Sequence, residues 1–172
     1  EDFLELLGSY DSFMESIDTL GDLGCGSGND LKWWATRSIL DDSNTKIPLN
    51  IKCTGIDTSD NYVEATQLPN VNFEKRDFET LAVVEGKRAY DVLWCNNSFQ
   101  YVTNPLGTLK AWRSVMSDGG MLAMVVPSTF EAGLRNTYIA QYEHTFFHWT
   151  TVSLLHVLAM SGFEIPFMQK IP

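Results

Sequence analysis

The stretch that most restricts the fold runs Thr19-Leu20-Gly21-Asp22-Leu23-Gly24-Cys25-Gly26-Ser27-Gly28 and continues into Asn29-Asp30-Leu31-Lys32-Trp33-Trp34. A short strand candidate at residues 19–23 enters a turn holding Gly24, Gly26 and Gly28, and a helix is predicted from about Asp30 to Leu40. Glycines let the backbone approach a ligand closely, and the helix N-terminus that follows offers unpaired N–H groups to a negative group. Strand, glycine turn and helix in that order point to a crossover unit of an α/β fold.

The remaining chain repeats the alternation. Strands are predicted at Ile51 to Ile56, ending at Asp57; at Val71 to Arg76, stopping at Asp77; at Tyr90 to Cys95; and at Met121 to Val126, ended by Pro127. Residues 2–17 place Phe3, Leu6, Leu7, Tyr10, Phe13, Met14 and Ile17 on one helical face. Further helices are expected at 60–68, at 106–116 with Asp118-Gly119-Gly120 as the stop, and at 152–161, closed by Gly162, with a strand from Phe163 onward. Residues 41–52 read as an excursion, and 79–87 as a loop or poor helix. Apolar inner strands and right-handed crossovers give a Rossmann-like, doubly wound, mainly parallel α/β sheet. After residues 163–168 hardly any of the sequence is left.

A length of 172 residues with 44% hydrophobic and 20% charged side chains fits one globular domain, and no repeat or linker divides it. No apolar run approaches the roughly 20 residues of a membrane span. The start, Glu1-Asp2-Phe3-Leu4, shows neither an initiator Met nor a signal-peptide pattern, and the odd set Cys25, Cys53 and Cys95 contains no C-x-x-C pair. Free thiols in a cytoplasmic protein are the expectation. A net charge of -10 disfavours nucleic acid as a partner.

Two nucleotide readings of the glycine turn fail on spacing. A dinucleotide fingerprint needs glycine where Asn29 stands, and a triphosphate loop needs a Gly-Lys-Ser/Thr sequence that the chain lacks. The acidic residue followed by G-x-G-x-G, here Asp22, Gly24, Gly26 and Gly28, resembles the first motif of class I S-adenosylmethionine-dependent methyltransferases. The plain structural alternative is a tight turn without a ligand.

A ribose needs an acceptor for two adjacent hydroxyls, and Asp57 at the tip of the second major strand supplies two oxygens. The excursion at 41–52 accounts for its distance from Gly24. The resemblance further implies that Asp77 receives the adenine amino group and that Phe78 packs on the ring. It continues through Tyr90-Asp91-Val92-Leu93-Trp94-Cys95-Asn96-Asn97-Ser98-Phe99-Gln100-Tyr101 and Met116-Ser117-Asp118-Gly119-Gly120, implying a strand tip delivered to the transferred methyl group, with Asn96 among the cofactor residues. In such relatives the Asp-Gly-Gly turn introduces the fifth strand and an antiparallel strand completes the sheet; with so little sequence after residues 163–168, that last strand is expected to be lacking or truncated here, in a trimmed chain or an incomplete sheet. Gln100-Tyr101 departs from relatives that often carry His there, which removes a histidine base.

Asn96, Gln100, Tyr101 and His144 are the acceptor-pocket candidates, and no catalytic residue is singled out. Phe130, Tyr138, Tyr142, Phe146, Phe147 and Trp149 make residues 128–149 a candidate substrate lid, although aromatics of this kind are more often core. His144 and His148 lack the H-E-x-x-H order, so no metal site is expected, and His156 reads as a packed or surface residue.

The function implied is methyl transfer from S-adenosylmethionine to a small molecule by a single domain, residues 1–172. The alternative is a methyltransferase-fold module that has lost catalysis and only binds. Base methylation of nucleic acid would call for an Asn/Asp-Pro-Pro-aromatic tetrad, and Asn96-Asn97-Ser98-Phe99 lacks its prolines. A protein acceptor stays open, and no oligomeric state is read.

Overall fold

Strand β1 (Thr19–Leu23) lies at the centre of a five-stranded parallel sheet, between β4 (Lys52–Asp57) and β6 (Tyr90–Asn96). The computed structural model describes residues 14–40, 43–61, 68–82, 89–127, 147, 149–165 and 168. With β5 (Val71–Lys75) and β7 (Met116–Val125) outermost, the order is β5-β4-β1-β6-β7, every pairing parallel. The chain winds outward from β1 through β4 to β5, then returns to β6 on the other side of β1. That reversal opens a crevice at the carboxyl ends of β1 and β6, where open α/β sheets bind ligands.

Both faces of the sheet are buried. Along β6, Val92 and Trp94 join a cluster with Leu20, Leu31 and Trp34, while Leu93 and Cys95 join Leu23, Phe99 and Trp112 on the opposite face. A strand with apolar residues on both faces is what helical layers on either side require. Helix α1 (Asn29–Ala35) covers one face, and α2 (Pro105–Val115) and α3 (Thr151–Met160) contribute to the other. Asn104 caps α2 through a bond from Gly107 N–H (3.1 Å), with Pro105 at the first helical position, and Thr150 and Ser153 form a capping box on α3.

Three boundaries differ from expectation. Helix α1 ends at Ala35, not near Leu40. The Thr36 hydroxyl bonds Lys32 O (2.8 Å), and Ser38–Leu40 forms β2, paired antiparallel with β3 (Lys46–Pro48) through Ile39 opposite Ile47. The excursion is therefore a hairpin, and a cross-strand pair of β-branched residues prevails over helical spacing.

The second difference is at Asp118-Gly119-Gly120, which lies inside β7 and not before it. The ladder passes from Tyr90 opposite Met116 to Val92 opposite Met121, so the glycines absorb a bulge in a strand that begins directly after α2. The third is at Phe163, where no strand begins. Its N–H bonds back to Leu158 O (3.1 Å) and Gly162 takes a φ of 81°, ending α3 in a closed cap.

Among the described residues no antiparallel strand joins the main sheet. The helix expected at 2–17 is described only from Met14, where residues 14 and 15 are helical and Met14 and Ile17 are buried. Most of 60–68 and of the 128–149 segment lies outside the described residues. Within the described residues no helix is long and apolar enough to cross a membrane.

Candidate functional site

The glycine turn is pinned to the neighbouring strand. Gly24 N–H and Cys25 N–H both bond Ile56 O (2.8 and 3.3 Å), Gly28 N–H bonds Cys25 O (2.9 Å), and Lys32 N–H bonds Gly28 O (3.0 Å), which starts α1. Gly24, Gly26 and Gly28 have φ values of 75°, 52° and 84°, a left-handed path that L side chains resist. A Cβ on Gly24 would lie 2.5 Å from Ser98 Cβ and 3.3 Å from Phe78 Cε1, so this glycine allows the turn to meet the segment after β6. A Cβ on Gly26 would meet nothing within 4 Å, and the turn is open there.

Asp57 meets the turn from β4. Its Oδ2 accepts from Gly26 N–H (2.9 Å) and its Oδ1 from Ser59 N–H (2.8 Å), leaving a lone pair on each oxygen. Asp77 caps a short 3₁₀ turn (Phe78–Thr80) by accepting from Glu79 N–H (2.8 Å), and it is exposed. Phe78 is held from behind, since Trp112 Nε1 donates to its carbonyl (2.7 Å) and the two rings lie 6.1 Å apart.

Asp22 is the electrostatic centre. It is 2% exposed, and its Oδ2 has no hydrogen-bond partner. Burial pushes its carboxyl well above the usual carboxylate range, and the carboxylates of Asp30 and Asp57 push the same way. A buried carboxylate oxygen among like charges is costly until a cationic donor reaches it. Burial, with Asp22 adding to it, raises the thiols of Cys25, Cys53 and Cys95 each to about 12.

At the tip of β6, Asn96 donates from Nδ2 to Asp30 Oδ2 (2.9 Å) and accepts at Oδ1 from Asn97 Nδ2 (3.1 Å). Ser98 Oγ donates to Leu23 O, joining this segment to the end of β1. Gln100 is 2% exposed and donates from Nε2 to Asn97 O (2.8 Å), while its Oε1 has no partner. Tyr101 is exposed, and His144 lies outside the described residues.

The fold thus gathers Asp22, Gly24, Gly26, Asp57 and Phe78 around one turn, with Asn96 at the end of the neighbouring strand and Gln100 in the 3₁₀ turn that follows it. Asp30 and Ser98 belong to the same cluster and escape sequence reasoning. Asp30 reads as an ordinary acid in a helix's first turn, and no local pattern marks Ser98 as a partner of Leu23.

The family described as a methyltransferase domain matches residues 22–122 of this chain. The trans-aconitate 2-methyltransferase of Agrobacterium fabrum is 35% identical over 124 residues, covering 71% of this chain and 42% of the relative. An S-adenosylmethionine-dependent methyltransferase from Mesorhizobium loti superimposes with a TM-score of 0.67 at 17% identity, covering 87% of this chain and 75% of that one. The plantazolicin methyltransferase BamL, solved with S-adenosylhomocysteine and a triazolic desmethylPZN analog, gives a TM-score of 0.67 at 20% identity, covering 91% of this chain and 60% of that one. The chain belongs to the class I S-adenosylmethionine-dependent methyltransferases. It spans less than half the length of the curated relatives it matches.

Proposed function

We propose that residues 1–172 form one methyltransferase domain that binds S-adenosylmethionine across the carboxyl ends of β1, β4 and β5 and methylates a small-molecule carboxylate. The observation that carries the reading is the buried, unpartnered Oδ2 of Asp22 near the end of β1, the strand that leads into a turn open at Gly26. The cofactor's ammonium is the cation such an oxygen calls for. Asp57 would accept from the ribose hydroxyls with the lone pairs that Gly26 and Ser59 leave unused, Asp77 would accept from the adenine amino group, and Phe78 would pack on the ring.

S-adenosylmethionine supplies an electrophilic methyl carbon on a sulfonium, so the task left to the chain is to hold and align an acceptor in a water-poor crevice. Asn96 and Gln100 carry amides, which take no proton, and the thiols of half-buried Cys25 and buried Cys95 are both raised to about 12. A carboxylate is already ionised at neutral pH and attacks without a base. The Agrobacterium fabrum relative is named for trans-aconitate, a molecule that bears carboxylates, which supports the same choice. The cytoplasm, where free thiols stay reduced, is the proposed compartment.

Calorimetry with S-adenosylmethionine and S-adenosylhomocysteine tests the cofactor step, and transfer of labelled methyl to trans-aconitate and other small carboxylic acids tests the acceptor. Binding followed by ester formation is expected. Absence of binding overturns the reading, and binding without transfer to any acceptor identifies a binding module instead.

A further inference from the structure

Asp30 is drawn into the site by tertiary contacts. One of its oxygens, Oδ2, accepts from Trp94 Nε1 (2.7 Å) and from Asn96 Nδ2 (2.9 Å), donors 64 and 66 residues along the chain. Helix α1, which opens on the glycine turn, is thereby tied to the tip of β6. The indole that anchors one side of this clamp is 1% exposed and fixed in the core against Trp34.

The clamp also dictates which way an amide points. A carboxylate only accepts hydrogen bonds, so Asn96 must offer its NH2 to Asp30 and turn its carbonyl oxygen away. That oxygen takes one bond from Asn97 Nδ2 (3.1 Å) and keeps a second lone pair. Without Asp30 the orientation rests on the exposed bond from Asn97 Nδ2 alone, and the two ends of that amide can themselves exchange. A reversed Asn96 would present N–H donors where a cationic ligand needs an acceptor.

We propose that Asp30 is a positioning residue that acts through Asn96, fixing its amide so that Oδ1 serves as an acceptor for the cofactor at the tip of β6. The proposal rests on reading the crevice as the S-adenosylmethionine site. Asp30 does not touch the ligand in this scheme. Its carboxylate orients the residue that does, and a charge-assisted pair of bonds holds the orientation against thermal exchange.

The test is a double-mutant cycle on the full chain, with S-adenosylmethionine affinity read by calorimetry and folding checked by thermal melting. Asp30→Ala is expected to weaken binding about tenfold in the wild-type background and by less than about twofold when Asn96→Ala is already present. Asp30→Asn keeps an oxygen able to accept both bonds and is expected to restore most of the loss. Equal losses from Asp30→Ala in the two backgrounds overturn the proposal, because Asp30 would then act without Asn96.

The Asn96 side-chain amide protons, followed by NMR in the ligand-free protein, give a second readout that needs no cofactor. They are expected to shift strongly on Asp30→Asn, and unchanged resonances overturn the assignment even if Asp30→Ala does not fold. A wild-type chain that binds neither S-adenosylmethionine nor S-adenosylhomocysteine removes the functional reading itself. An additive cycle with intact wild-type binding removes only the role of Asp30.

Discussion

Asp57 and Asp22 both stand at the carboxyl side of parallel strands, and the fold satisfies them differently. Asp57 accepts two backbone N–H groups, whereas Asp22 keeps a buried oxygen with no partner. Burial first, then the carboxylates of Asp30 and Asp57, raise the folded-state pKa of Asp22. A raised carboxyl contributes stability below its unfolded pKa and loses it as pH rises through the folded value. Asp22→Asn is therefore expected to melt above the wild type at neutral pH, with the two converging in acid, while its affinity for S-adenosylmethionine falls. Melting curves across pH, paired with calorimetry, check both parts, and parallel pH profiles would remove the assignment.

The two glycines on either side of Cys25 separate packing from binding. Gly24→Ala drives a methyl into Ser98 at a φ of 75° and is expected to cost about 2 kcal/mol of stability or more. Gly26→Ala, at a φ of 52° with open space around it, is expected to cost only about 1 kcal/mol. Its larger effect should fall on cofactor binding. Denaturant unfolding and calorimetry on both variants distinguish the cases.

Among the elements, β1, β6 and β7 are fastened at their amino ends by Asp91. Its Oδ2 accepts from Asp18 N–H (3.1 Å), Thr19 N–H (3.0 Å) and Thr19 Oγ1 (2.8 Å), and its Oδ1 from Ser117 Oγ (2.8 Å). Burial opposes its charge, but the bonds from Ser117, Thr19 and Asp18 outweigh burial and hold the carboxyl below its usual range. Stability from such a group is present above the unfolded pKa and lost as pH falls through the folded one. Asp91→Ala should cost about 2 kcal/mol, a fall in melting temperature of about 6 °C, and the gap to wild type should narrow in acid.

The same elements show where periodicity stops being sufficient. The four major strands after β1 are legible as short strand segments, two of them mostly apolar, ended by Asp57, Asp77, Asn96 and Pro127. The hairpin of β2 and β3 is not, because Ile39 and Ile47 acquire meaning only as a pair. The bulge at Asp118-Gly119-Gly120 is likewise set by the register against β6, which no window of β7 alone contains.

For the whole molecule, the reversal of winding beside β1 makes one crevice out of segments separated along the chain. A ligand bound only by that assembled crevice stabilises the fold by mass action. At about 100 times its dissociation constant, S-adenosylmethionine should add about 2.7 kcal/mol, a rise in melting temperature of about 8 °C. A melting point indifferent to both S-adenosylmethionine and S-adenosylhomocysteine would contradict the cofactor proposal.

The sequence by itself determined the alternation of strands and helices, the glycine turn, and the order of Asp22, Asp57, Asp77 and Phe78 along the chain. Those features are local: backbone sterics, helical or strand periodicity, and residues at strand ends act over a few positions. Tertiary structure alone decided that β6 lies beside β1, that Ser98 closes on Leu23 and Gly24, and that Asp30 clamps Trp94 and Asn96. Contacts across 60 or more residues depend on how two apolar faces of one sheet are covered at once, and that is a property of the packed molecule.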